Sequence, residues 1–320
     1  MIKVLVVMQI LEEHKELLRG IDSDLDISFI PAAQVKPQDV EDVEIIVGNV
    51  NPALLSNCKN LKLLQLNSAG TDGYTAAGVL PEGAVLTNAT GAYGLAISEH
   101  MLGALLCLMK KLDLYRLNQE EHVWRDEGPV TSIYGSKTLI VGFGDIGNEF
   151  GTRMNALGSE ITAIRKNVAN KPDYVDSIHT VDDLHDCLSK ADIIAACLPG
   201  TAETNKLFDR EAFNRVKPGA YFINIGRGTA VDTDALCDAL ESGILAGAAV
   251  DVTDPEPLPK DHRLWSIPNV LITPHASGGY HLKETHDRII GIAARNINHL
   301  LHNEPFENIV DMKTGYRKNN

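Results

Sequence analysis

Short apolar runs bounded by turn residues alternate along this chain with stretches whose apolar positions return every three or four residues. The runs Lys3–Met8, Ile27–Ile30, Ile45–Val47, Leu61–Leu66 and Val85–Thr87 read as strands, and Glu12–Arg19 as a helix. A second series begins near Lys137. It has strands at Thr138–Val141, Ile161–Ile164, Ile193–Cys197, Ala220–Asn224, Gly247–Asp251 and Val270–Ile272, with a helix at Asp145–Leu157. A long helix, Ser98–Leu117, connects the two series, and a last one, Thr285–Leu301, is placed to return the chain to the first. Such alternation predicts an α/β protein built on parallel sheets.

Composition narrows the class. At 320 residues the chain has room for two domains, and 44% apolar with 22% charged residues is globular rather than disordered. A net charge of −14 argues against nucleic-acid and anionic-membrane partners. It leaves room for an anionic small substrate, because one local arginine decides that. Cys58, Cys107, Cys187, Cys197 and Cys237 are scattered, without metal spacing or a disulfide framework, so no metal site is expected and a reduced, cytoplasmic chain is. Met1–Met8 reads as a first strand, not a signal peptide. The most apolar stretch, Ser98–Leu117, is interrupted by Glu99, His100, Lys110, Lys111 and Asp113 and does not read as a membrane span.

The chemistry concentrates in the second series. Gly142-Phe143-Gly144-Asp145-Ile146-Gly147 lies between an apolar strand and a helix, the context in which such a loop cradles a dinucleotide diphosphate at a helix N-terminus. The corresponding turn of the first series, Met8-Gln9-Ile10-Leu11, has no glycine and is not expected to hold one. An NAD site wants Asp or Glu at the end of the next strand, about 20 residues on, to accept from the ribose hydroxyls. Here Arg165 stands 18 positions after Gly147, followed by Lys166 and Asn167. Two cations suit a 2′-phosphate, so NADP is the expected cofactor, with NAD the alternative if Arg165 is merely exposed.

Three downstream residues complete a hydride-transfer site. His275, after Leu271-Ile-Thr-Pro274, is the acid, because histidine titrates near neutrality. Glu256, in Asp-Pro-Glu-Pro, is its orienting carboxylate, or else a loop salt bridge. Arg227, between Gly226 and Gly228 at a strand's carboxyl end, is the clamp on carboxylate and carbonyl oxygens. Asp251 either accepts from the nicotinamide carboxamide or caps a turn. The histidines at 14, 122, 179, 185, 281, 286, 299 and 302 read as surface or helix positions, and His262 is ambiguous.

At these residues the chain resembles the D-isomer-specific 2-hydroxyacid dehydrogenase family. The match runs from about Leu61 to Ser277 and takes in Ser68-Ala-Gly-Thr-Asp72, Asn88-Ala-Thr-Gly91 and the glycine loop. It continues through Leu198-Pro199, Lys217-Pro-Gly-Ala220, Asn224-Ile-Gly-Arg-Gly228, Asp251-Val252, Glu256-Pro257 and Pro274-His275. The resemblance implies a catalytic arginine, glutamate and histidine at Arg227, Glu256 and His275, and substrate-carboxylate binding by the N–H groups of Ala69 and Gly70. Leu198 and Pro199 join the cofactor residues. It further implies two Rossmann-like parallel-sheet domains. A nucleotide-binding domain (residues 99–288) is inserted into a discontinuous, flavodoxin-like substrate domain (residues 1–98 and 289–320), with the site in the cleft and a homodimer formed through the nucleotide domain.

The expected activity is NADPH-preferring reduction of a small 2-oxo acid to the D-2-hydroxy acid. The alternatives are NAD-dependent oxidation of a 2-hydroxy acid, as in phosphoglycerate dehydrogenases, and a non-enzymatic dinucleotide-sensing protein like the related corepressors. Asn67, Ser68, Tyr74 and Tyr93 are placed near the cleft, with Trp265 either there or in the core. Their types do not select one 2-oxo acid.

Overall fold

The computed structural model describes residues 1–279 and 282–318, and the chain divides into two compact units. One unit is Met1–Tyr93 with Tyr280–Asn320, the other Gly94–Gly279. The division falls at 93/94 and 279/280, where the sequence placed it at 98/99 and 288/289. His281, read as a surface position, lies outside the described residues.

The first unit opens with β1 (Ile2–Val6), α1 (Glu12–Arg19), β2 (Leu25–Phe29), α2 (Pro37–Val40), β3 (Ile45–Val47), β4 (Leu63–Gln65) and β5 (Val85–Thr87). The strands form one all-parallel sheet in the order β2-β1-β3-β4-β5, the flavodoxin-like doubly wound arrangement. Ile45, Ile46, Val47, Leu63 and Leu64 are wholly buried, which is why these strands read as unbroken apolar runs instead of alternating ones. The glycine-free turn after β1 is held by histidines: His286 Nε2 lies 2.6 Å from the Gln9 carbonyl, and Leu11 N–H donates to His14 Nδ1. His14 and His286 sit in helices as expected, but buried, with ring centroids 4.5 Å apart.

The second unit comprises α3 (Gly94–Met109), α4 (Leu112–Glu120), β6 (Lys137–Val141), α5 (Asp145–Ala156), β7 (Glu160–Ile164), β8 (Ser177–His179), α6 (Leu184–Leu188), β9 (Ile193–Ala196), α7 (Arg210–Asn214), β10 (Ala220–Asn224), α8 (Thr233–Glu241), β11 (Leu245–Val250) and β12 (Val270–Ile272). Its parallel sheet runs β12-β11-β10-β9-β6-β7-β8. Counted from β6, this is the dinucleotide-binding order with one strand added, and the direction of winding reverses between β6 and β9. Phe208, Phe213 and Phe222 pack against one another in its core.

Two local features differ from the sequence reading. The single helix Ser98–Leu117 is two helices, broken where Lys111 adopts the left-handed region at φ 58°. The lysine side chains hold the break: Lys110 Nζ donates to the Thr131 carbonyl at 2.6 Å and Lys111 Nζ to that of Glu127. Strand β8 is an addition at the sheet's edge. Its three residues are half-buried, so no apolar run announced it.

The chain returns to the first unit in α9 (Lys283–His302). Its buried Asn296 donates to Gln65 Oε1 at 2.7 Å, tying the helix to β4. Among the described residues no helix is long and apolar enough to cross a membrane.

Candidate active site

The three glycines of the β6–α5 loop have different reasons to be glycine. Gly142 has φ +95°, and a Cβ there would lie 2.5 Å from the Cys197 carbonyl oxygen. A Cβ on Gly147 would lie 2.6 Å from the Gly142 oxygen, so the helix could not seat on its strand. Gly144 caps the N-terminus of α5, and a Cβ built on it meets nothing within 4 Å. The first and third glycines are thus required by the protein's own packing. The middle one keeps space open beside the first turn of α5, where N–H groups and the helix dipole favour an anion. That combination fits a dinucleotide diphosphate. Phe143 is buried and donates its N–H to the Ile164 carbonyl at 3.1 Å, while Asp145 and Ile146 begin the helix.

Arg165 directly follows β7. Its guanidinium carbon is 5.9 Å from the Phe143 ring centroid, and NH2 donates to the carbonyls of Ala169 and Asn170, the latter at 3.1 Å. Its Nε is buried with no partner among the described residues, an orphan donor that a phosphate oxygen would satisfy. Lys166 is exposed and paired with Glu203 at 2.5 Å. Beyond β9 the chain passes through Cys197, Leu198 and Pro199. Burial pushes the Cys197 thiol up to about 12, so it stays protonated and is no nucleophile.

Arg227 follows β10 in an extended conformation between glycines that also serve packing. A Cβ on Gly226 would fall 2.2 Å from the Leu198 oxygen, and one on Gly228 1.9 Å from the Thr253 oxygen. Neighbouring loops therefore approach the backbone closely on both sides of Arg227. Buried Asn224 braces the turn, accepting from Gly226 N–H and donating to the Arg227 carbonyl, both at 3.2 Å.

His275 Nδ1 and Glu256 Oε1 are 2.7 Å apart, both side chains roughly half exposed. A carboxylate accepts only, so the shared proton sits on Nδ1 and Nε2 is the nitrogen left for a reactant. His275 itself is held at φ 51°, a left-handed conformation uncommon for residues other than glycine, though histidine is among those that adopt it more often. Asp251 fixes it there. His275 N–H donates to the Asp251 carbonyl at 2.8 Å. The buried Asp251 carboxylate accepts from Thr273 Oγ1 (2.5 Å) and Ala276 N–H (2.9 Å) on Oδ1, and from Ser277 N–H (3.1 Å) and Oγ (2.5 Å) on Oδ2. Burial pushes the Asp251 pKa up, but the Ser277, Thr273 and Ala276 hydrogen bonds outweigh it and hold the group below the usual carboxylate range. His100 Nε2, 3.2 Å from Thr273 Oγ1, extends this network into α3.

Both Asp251 oxygens are therefore engaged by the loop that carries His275. This is nearer to the turn-capping reading than to a carboxamide acceptor. The roles of Thr273, Ser277 and His100 were not foreseen, although hydroxyls two residues either side of His275 were a readable signal. His262 accepts from Leu264 N–H at 3.1 Å as a helix cap, and Trp265 is half exposed with its Nε1 on the Pro259 carbonyl, so it is not core.

In the first unit, Asn67–Gly70 follows β4. Asn49 and Asn67 exchange bonds, each backbone N–H donating to the other's side-chain oxygen at 2.5 and 3.0 Å. Asn49 Nδ2 donates to Ser68 Oγ at 2.9 Å, Tyr93 OH donates to the Asn67 carbonyl at 2.5 Å, and Tyr74 OH donates to that of Val50.

A sequence profile described as "D-isomer specific 2-hydroxyacid dehydrogenase, NAD binding domain" matches residues 102–277. The glyoxylate reductase of Thermofilum pendens is 29% identical over 269 residues, 81% of this chain and 78% of the relative. The structure of a D-isomer specific 2-hydroxyacid dehydrogenase family protein from Aeromonas salmonicida superimposes with a TM-score of 0.86 at 30% identity, covering 97% of this chain and 99% of that one. A D-isomer specific 2-hydroxyacid dehydrogenase from Xanthobacter autotrophicus Py2, solved in complex with NADPH and MES, gives 0.83 at 26% identity, covering 98% and 99%. The matched segment spans more than half the chain and contains the glycine loop, Arg165, Arg227, Glu256 and His275, and this protein belongs to the D-isomer specific 2-hydroxyacid dehydrogenases, a family of NAD(P)-dependent oxidoreductases.

Proposed function

We propose that the protein reduces a small 2-oxo acid to the D-2-hydroxy acid, with a preference for NADPH. The observation that carries this reading is the 2.7 Å pair of His275 and Glu256 at the carboxyl edge of a dinucleotide-binding sheet. When bound, the nicotinamide supplies a hydride to substrate C2. His275 Nε2 delivers a proton to the carbonyl oxygen as it becomes an alkoxide, and Glu256 steadies the ring through Nδ1. Arg227 and the N–H groups of Ala69 and Gly70 receive the substrate's oxygens. Gly142 to Gly147, Leu198 and Pro199 form the cofactor's seat. Arg165, with its orphan Nε, and Lys166 favour a 2′-phosphate.

We further propose a homodimer formed through the second unit. Leu112, Leu117, Val123, Trp124, Val130 and Tyr134 are all exposed within one segment, and Trp124 is fully so. Arg125, bonded to Glu127 at 2.8 Å and to Asn118 at 2.9 Å, holds that arm in shape, as an anchor for a partner requires. All five cysteines are unpaired, which supports a cytoplasmic setting.

His275→Ala tests the assignment: turnover of 2-oxo acids should fall by about 10²-fold or more with NADPH affinity retained. Turnover close to wild type would remove the histidine from the mechanism.

A further inference from the structure

Every carbonyl of the Asn67–Gly70 loop is engaged by the protein itself. Tyr93 OH donates to Asn67 O, Ala89 N–H to Ser68 O at 2.9 Å, Asn88 Nδ2 to Ala69 O at 2.8 Å, and Ser68 Oγ to Gly70 O at 2.6 Å. The N–H groups of Ala69 and Gly70 take part in no hydrogen bond among the described residues. The loop has had its acceptors satisfied and its two central donors left over. A turn held only for stability gains nothing from that asymmetry, since an unpaired, half-buried N–H is a cost. A carboxylate is the ligand that uses it.

We infer that Asn88 is the positioning residue for these donors. In a planar trans peptide the C=O and N–H point in opposite directions. The peptide between Ala69 and Gly70 has its oxygen pinned by the Asn88 amide, so the direction of the Gly70 N–H is set by that bond. The neighbouring peptide is pinned in the same way through Ser68 O by the Ala89 N–H, the residue after Asn88. A hydrogen bond accepted at the carbonyl also polarises the N–H on the far side of the same peptide. Asn88 is well placed to act as a fixed point. It is buried, its Oδ1 accepts from Thr90 N–H at 3.2 Å, and that contact defines which end of the amide is the donor. Its backbone is held from the C-terminal segment: Asn88 N–H donates to Asn308 O at 3.2 Å, and Asn308 Nδ2 donates to Thr90 O at 2.7 Å.

The inference rests on the proposed reduction of 2-oxo acids, and its test separates the two. Asn88→Asp preserves shape but, ionised, accepts only and sets a carboxylate against the Ala69 oxygen. The KM for pyruvate or glyoxylate and the inhibition constant of oxamate should rise roughly 10- to 100-fold, the worth of a misdirected charge-assisted bond. The turnover number should change much less, and the NADPH dissociation constant not at all. A folded variant whose KM and oxamate constant stay within about twofold of wild type overturns the inference. So does a parallel loss of turnover, KM and cofactor binding, which is the signature of a purely structural role. Asn88→Ser, which restores a donor, should recover part of the affinity. If no Asn88 variant folds, the wild-type Asn88 Nδ2 resonance decides: oxamate should move it together with the Gly70 amide, because Nδ2 bonds the oxygen of the peptide that carries that N–H. A Gly70 shift that leaves it unmoved, or no shift of either, contradicts the inference. That resonance reports even if the wild type reduces no 2-oxo acid, a result that would count against the functional reading alone.

Discussion

Asp251→Asn should disable the acid without disturbing the dinucleotide seat. The carboxylate holds four donors, Thr273 Oγ1, Ala276 N–H, Ser277 N–H and Ser277 Oγ. Asparagine offers one oxygen and one NH2, so two of the four donors then face a donor. A hydroxyl can rotate away, but a backbone N–H cannot: either Ala276 N–H loses its acceptor, or Ser277 N–H keeps only its longer 3.3 Å bond to Oδ1, a cost of up to about 1–3 kcal/mol. The bonds that remain lose their charge assistance and become roughly half as strong. The total, on the order of 2–4 kcal/mol, matches the roughly 1–3 kcal/mol needed to keep a non-glycine residue such as His275 in the left-handed region. The imidazole should therefore relax out of position. A displacement of about 1 Å at the reacting groups lowers turnover by about 10²-fold.

The assays are turnover at saturating 2-oxo acid, NADPH affinity by fluorescence, and urea midpoint against pH. The folded pKa of Asp251 is lowered, so the stability it confers is present above the unfolded value of about 3.9 and lost as pH falls through the folded value. The asparagine variant should lack that acid dependence. Turnover equal to wild type would refute the positioning argument. Loss of NADPH affinity with turnover retained at saturation would instead return Asp251 to the carboxamide role.

The glycine loop gives a paired prediction. Gly144→Ala should leave urea stability within about 0.5 kcal/mol, since its Cβ meets nothing within 4 Å, yet should weaken NADPH binding. Gly142→Ala should lose stability as well, because of its φ of +95° and the Cys197 carbonyl; the reverse ranking would undo the division of labour assigned to the two. Trp124→Ser should shift the protein from dimer to monomer in sedimentation velocity, and a variant that stays dimeric would move the interface elsewhere.

Much of this architecture was legible because buried parallel strands are written as continuous apolar runs, as Ile45–Val47 and Leu63–Gln65 show. The glycine loop was legible because its context is local. What escaped depends on contacts between distant residues. Lys111 breaks the helix with no glycine or proline at the break to announce it, because its ammonium finds the Glu127 carbonyl. The edge strand β8 has too few buried residues to leave a pattern. The reason for glycine at 226 and 228 was not legible, because the oxygens that crowd them, of Leu198 and Thr253, are far away in sequence. For Asp251 the turn-capping and carboxamide readings stood side by side in the sequence, since all four of its donors come from residues 273–277 and none from its own loop. His275 and Glu256, by contrast, were paired from residue chemistry alone and lie 2.7 Å apart, although prolines surround the glutamate and the two are nineteen positions apart.

The most direct test is the initial rate of NADPH and of NADH oxidation with glyoxylate, hydroxypyruvate, pyruvate and 2-oxoisocaproate, for the wild type and for Arg165→Asp. The account predicts turnover of at least one of these acids, a strong preference for NADPH, and reversal of that preference in the variant. Equal or faster rates with NADH would contradict the role given to Arg165, and no oxidation of either cofactor with any of the four would contradict the reductase itself.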